Sequence, residues 1–214
     1  MPANRPLVAL SALLCLWPAA RSNAQTPAAV KVAVALKFDR SIPSRSLRKP
    51  AQDEASAIWK EQGVELVWSD DPDVSADLHL EVTVLSGHVT GDRWHAEVGR
   101  ATVTCPALNS AEPIRIWFEP LELTLENGLG RNPLLRDHEF GRALGRVMAH
   151  ELGHVLLGPP GYHDQVGLMR PTFMADELVR PLRLHFELAG ASVARLRRQI
   201  AQLGNQSDLA ACAR

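Results

Sequence analysis

The chain of 214 residues has almost no excess of either charge, with 23 Lys and Arg against 24 Asp and Glu and a formal net charge of −1. No field of that size draws in nucleic acid or an anionic membrane surface, so nucleic acid is not an expected partner. Cysteine is scarce, at three residues, and tyrosine scarcer, with Tyr162 alone. Long hydrophobic runs are also missing. The longest, Leu7 to Ala20, is too short to span a bilayer comfortably.

That run follows Arg5 and precedes the polar Arg21-Ser22-Asn23-Ala24, the pattern of a secretory signal peptide over residues 1–24. Ser22 and Ala24 are small residues at the −3 and −1 positions of a cut before Gln25, and Leu14 before Cys15 argues against lipidation. The expectation is a secreted or periplasmic mature chain of about 190 residues, 25–214, forming one domain with no stable membrane insertion. Removing the leader leaves Cys105 and Cys212. An oxidising compartment makes a disulfide between them the natural expectation, with two buried free thiols the alternative.

What is present is 46% hydrophobic residues, patterned as alternating strands and helices. Val30 to Leu36 alternates as a strand, and Ser46 to Gln62 places Leu47, Ala51, Ala55, Ile58 and Trp59 at helical spacing before Gly63. Val64–Trp68 and Leu78–Leu85 read as strands, and Ile114–Phe118 as another, an order that implies a mixed α/β sheet. Trp94 to Thr104 alternates enough for an edge strand or hairpin. Pro120 to Pro133, with Asn127-Gly128 and Gly130, reads as a loop. A long helix is expected from between Pro133 and His138 to about Leu157, ended by Gly158-Pro159-Pro160, and a last helix from about Glu187 to Leu203. Arg195, Arg197 and Arg198 fall on its solvated face.

The long helix contains His150-Glu151-Leu152-Gly153-His154, an HExxH motif. Histidines four apart share one helix face and can converge on one zinc ion, while Glu151, turned off that direction, can serve as base for a water on the metal. Chance alone would produce this pattern in roughly 2% of chains of this composition. Two histidines and a water leave one protein ligand to find: His163 is the first choice, with Asp164, Glu177 and Glu187 as alternatives. Because imidazole binds metal only when neutral, loss of metal is expected below about pH 6.

With these residues the chain resembles the metzincins, zinc peptidases that include the matrixins, astacins and archaemetzincins. Their pattern is HExxHxxGxxH followed by a turn bearing a methionine beneath the metal. His150, Glu151 and His154 match; Gly158 stands one position late, His163 three positions late, and Gly167-Leu168-Met169-Arg170-Pro171 looks like the methionine turn. Small exported bacterial proteins of unassigned function with a HELGH…H…GxMR pattern look closer still. The resemblance implies an α+β, metzincin-like fold: a twisted mixed sheet with an edge antiparallel strand, a zinc-binding helix, the methionine turn and a C-terminal helix.

The function that follows is zinc-dependent peptide-bond hydrolysis by a secreted endopeptidase. Glu151 would be catalytic, and His150, His154 and His163 would hold Zn2+. A peptide or protein substrate would lie along the edge strand of the Trp94–Thr104 region, and the protein is expected to be a monomer. The alternative is a non-catalytic, zinc-stabilised exported binding module, which gives no reason for Glu151. No cysteine switch for latency is visible, since Cys105 is set within the domain. Tyr162 either packs or approaches the site as a donor to an oxyanion.

Overall fold

The computed structural model describes residues 30–87, 99–100, 113–129, 136–158 and 162–204. The signal segment, both mature cysteines and most of the expected 94–104 edge lie outside these residues.

The elements run β1 (Val30–Phe38), α1 (Ser44–Lys60), β2 (Val64–Trp68), β3 (Leu78–Leu85), β4 (Gly99–Arg100), β5 (Ile114–Trp117), α2 (Phe118–Leu129), α3 (Arg136–Leu156), α4 (Ala175–Val179) and α5 (Gly190–Gly204). The strands form one sheet in the order β2-β1-β3-β5-β4. The first four are mutually parallel, while Gly99 and Arg100 pair antiparallel with Ile116 and Arg115 of β5. One helix, α1, connects the parallel strands β1 and β2 and the other four follow β5, so the expected α+β class takes the form of a mixed α/β arrangement. None of the described helices is long and apolar enough to cross a membrane.

One sheet face makes the core. The register sets Val32 beside Leu66 and Leu78, and Val34 beside Leu80, so the alternate residues of β1 and β3 share one face, buried in the same core cluster as the apolar residues of α1 and α3. Val32, Val34, Val82, Val84 and Ile116 are completely buried there, each side chain contributing roughly 1.5–3 kcal/mol. On α1 the buried stripe is Leu47, Ala51, Glu54, Ala55, Ile58 and Trp59.

The two helices meet backbone to backbone. A Cβ on Gly141 would lie 2.6 Å from Cβ of Pro50, and one on Gly145 2.6 Å from the carbonyl oxygen of Ala51. Glycine inside a helix costs about 1 kcal/mol relative to alanine, and here it permits a close approach that no larger residue allows. Trp59, fully buried, donates its indole N–H to the Ala149 carbonyl at 3.2 Å. The helix α3 is thereby held against α1 one residue before His150.

Two expectations are corrected. The segment from Pro120, expected as a loop, belongs to α2. Pro120 sits in the first turn, where its missing N–H breaks no helical bond. Leu121 and Leu125, four apart, are buried. The last helix begins at Gly190, with Val193 N–H donating to the Ala189 carbonyl, while the Glu187 carbonyl before it accepts from the amide of Leu168. Its contact with α3 is at the end of that helix, where Arg195 reaches the Leu157 carbonyl.

Candidate metal centre

The side chains of His150, Glu151 and His154 are all nearly buried, at 8%, 5% and 8% exposure. One nitrogen of each of His150, His154 and His163 lies within 4.8 Å of the others, and His163 is exposed. The His163 ring stacks on His150 at 5.5 Å and stands edge-on to His154 at 4.9 Å. Sequence spacing placed two of these nitrogens on one helix face; the third arrives from the chain beyond the helix.

The lone pairs point the right way for a cation. His150 Nδ1 is 2.7 Å from the Leu168 carbonyl, which can only accept, so Nδ1 carries the proton and Nε2 presents its lone pair. The Nε2 atoms of His150 and His154 are 3.1 Å apart. Two nitrogens bound to one tetrahedral zinc at 2.0–2.1 Å would be separated by about 3.3 Å, so the pair fits that ion with little movement. His154 Nδ1 is buried with no hydrogen-bond partner among the described residues.

Burial keeps both rings neutral. Desolvation lowers His150 to about 4, with the Leu168 carbonyl opposing the shift and the neighbouring His163 adding to it. Desolvation, with repulsion from His150 and His163, lowers His154 to about 3. Neutral imidazole is the form that binds metal. Both rings thus remain in that form at pH 6, where an ordinary imidazole already takes up protons.

The turn Gly167–Arg170 closes beneath the helix through Arg170 N–H to the Gly167 carbonyl, 3.2 Å. Gly167 has φ +78°, and a Cβ there would strike the Glu187 carbonyl, so this position requires glycine. Met169 is 1% exposed, and its sulfur fills the space a side chain at Gly153 would need. One short turn thus orients His150 through the Leu168 carbonyl and packs Met169 under the HExxH helix.

Behind the histidines is a layer that sequence reasoning missed. Phe173 meets the His150 ring edge-on at 5.7 Å and stacks on Phe186 at 5.1 Å. The Arg146 guanidinium lies over Phe186 at 4.5 Å. Arg146 is completely buried one turn before His150; it pairs with Glu54 of α1 at 2.8 Å and donates to the carbonyls of Glu177 and Leu182. Arg183 takes the other Glu54 oxygen at 3.1 Å. A signal existed: Glu54 falls on the apolar stripe of α1, and a charge there demands a partner.

The remaining candidates lie outside the histidine cluster. Asp164 accepts from the Tyr162 hydroxyl at 2.8 Å and from Ser192. Tyr162 therefore packs and anchors this loop. Glu177 pairs with Arg170 at 2.9 Å, and that contact together with the Met174 amide holds its carboxyl below the usual range despite burial. Glu187 is exposed and stands outside the histidine cluster. Arg195, expected on the solvated face, lies over the Tyr162 ring at 4.5 Å, because the loop after α3 folds back onto α5.

No protein-family model matches the chain, and no curated protein matches its sequence. Among solved structures it is similar to archaemetzincin from Methanopyrus kandleri, with a TM-score of 0.50 and 17% identity over 83% of this chain and 99% of that one. The fold is archaemetzincin-like. At that identity the likeness concerns the path of the chain, and the chemistry has to come from the residues.

Proposed function

We propose that this chain is an exported zinc-dependent endopeptidase. The observation that carries the reading is the convergence of three imidazoles, two of them buried and neutral, on a chain with an archaemetzincin-like fold. His150, His154 and His163 would hold the ion, and the Gly167–Arg170 turn would serve as the methionine turn. A bound zinc ion lowers the pKa of a coordinated water and polarises the scissile carbonyl.

The protein's own part is orientation and proton transfer. The Leu168 carbonyl keeps the His150 lone pair directed at the cluster. Glu151, next in sequence and buried on the same helix, takes a proton from the attacking water and returns it to the leaving amine. An extended peptide or protein is the proposed substrate, adding to the sheet at β4, the last strand in its order among the described residues.

The test is Glu151→Gln on the mature protein with a peptide library as substrate. Retained zinc with hydrolysis reduced by about a hundredfold or more is expected, since general base catalysis is worth roughly 10²–10⁴-fold. Equal turnover in the variant would contradict the role of Glu151. Zinc without hydrolysis in the unmutated protein would favour the zinc-stabilised binding module.

A further inference from the structure

We infer that Tyr162, Asp164, Ser192 and Arg195 form a clamp that sets His163 for the metal, so that α5 belongs to the metal centre although it supplies no ligand. The inference rests on the proposed role of His163.

The linker poses the problem that the clamp solves. Between His154 and His163 the chain is longer than in the metzincin pattern, and a longer loop costs more entropy to bring its ligand into place. His163 itself is exposed, so burial does little to fix it. Its two neighbours are fixed instead. Asp164 donates its backbone N–H to the Met169 carbonyl at 2.9 Å, which ties the loop to the turn under α3. The Asp164 carboxylate accepts on both oxygens, from Tyr162 at 2.8 Å and from the completely buried Ser192 in the first turn of α5.

The Tyr162 ring supports the Arg195 guanidinium at 4.5 Å, and Arg195 donates to the Leu157 carbonyl just past α3. The contacts therefore join the end of the HExxH helix, α5, both residues flanking His163, and the methionine-bearing turn. With each of its oxygens held by a hydroxyl and the carboxylate outside the histidine cluster, Asp164 acts as an anchor rather than a ligand. Tyr162, Asp164, Ser192 and Arg195 are positioning residues that act through the backbone carrying His163, and groups that hold a metal ligand in place are worth up to about 10–100-fold in metal affinity.

The experiment measures zinc affinity of the mature protein by competition with a chromophoric chelator in Ser192→Ala, Tyr162→Phe and the double variant, each also in a His163→Ala background. Neither hydroxyl belongs to the histidine cluster, so an effect cannot come from deleting one of its donors. The expected result is zinc binding about 10–100-fold weaker in the double variant, a changed visible spectrum of the cobalt-loaded form, and no further weakening once His163 is gone. Melting of the metal-free protein shows whether the fold is kept; Tyr162→Phe retains the ring under Arg195 and answers the question if the double variant does not fold. Unchanged affinity in the clamp variants, with His163→Ala weakened, would overturn the clamp and leave the metal centre standing. Equal losses with and without His163 would also overturn it. No zinc in the unmutated protein would remove both readings.

Discussion

The sulfur of Met169 occupies the space that a side chain on Gly153 would take, so the glycine within the HExxH motif and the methionine of the following turn are fitted to each other. This contact, with the hydrogen bond from His150 to Leu168, makes the turn a template for the helix face that carries the ligands.

Gly153→Ala is therefore expected to destabilise the protein by about 1–3 kcal/mol through overpacking, although alanine is the better helix former by about 1 kcal/mol. Met169→Ala should cost less in the Gly153→Ala background than in the unmutated protein, because the two changes offset each other's misfit. Denaturant unfolding checks this, and a net gain in stability from Gly153→Ala alone would show that the two residues are not in close contact.

Arg146→Met should cost about 3–5 kcal/mol, because it leaves Glu54 buried with only the part-exposed Arg183 beside it. Combining it with Glu54→Gln should restore much of that loss, as replacing both members of a buried pair is far milder than breaking one. A double-mutant cycle by denaturant unfolding measures the coupling. Additive losses would deny that the pair acts as a unit.

The histidine cluster was largely legible in the sequence. His150, Glu151 and His154 are fixed by local helical spacing, and His163 is the first histidine beyond the helix break. What was not legible depends on partners distant in the chain. Arg146 and Glu54 are 92 positions apart, and neither alone shows that the other will bury it. Gly141 and Gly145 likewise have their reason in α1, whose backbone and Pro50 lie against them. In α2, Pro120 and Asn127-Gly128 carry the local grammar of a turn, yet burial of Leu121 and Leu125 outweighs it. Arg195 has the periodicity of a solvated residue, and only the return of the 162–164 loop makes it a contact.

Acid should destabilise the metal-free protein over a defined range. In the unfolded chain both histidines take up protons near pH 6.5, whereas in the fold His150 resists to about 4 and His154 to about 3. Between those values the unfolded state binds more protons, so stability is complete above about pH 6.5 and falls as the pH drops toward 4. The loss is on the order of 3 kcal/mol for His150 alone. Chelator-treated protein unfolded in denaturant at pH 7 and at pH 4.5 tests this against a His150→Gln/His154→Gln variant, in which the pH dependence should be much smaller. Equal slopes in the two proteins would contradict the buried, neutral state of the rings.

The central claim is that three histidines form one zinc site, and elemental analysis of the mature protein, purified without added metal or affinity-tag nickel, tests it most directly with His163→Ala alongside. The account predicts one zinc per chain in the unmutated protein and its loss or marked weakening in the variant. Zinc held equally well without His163, or no zinc in either protein, would contradict it.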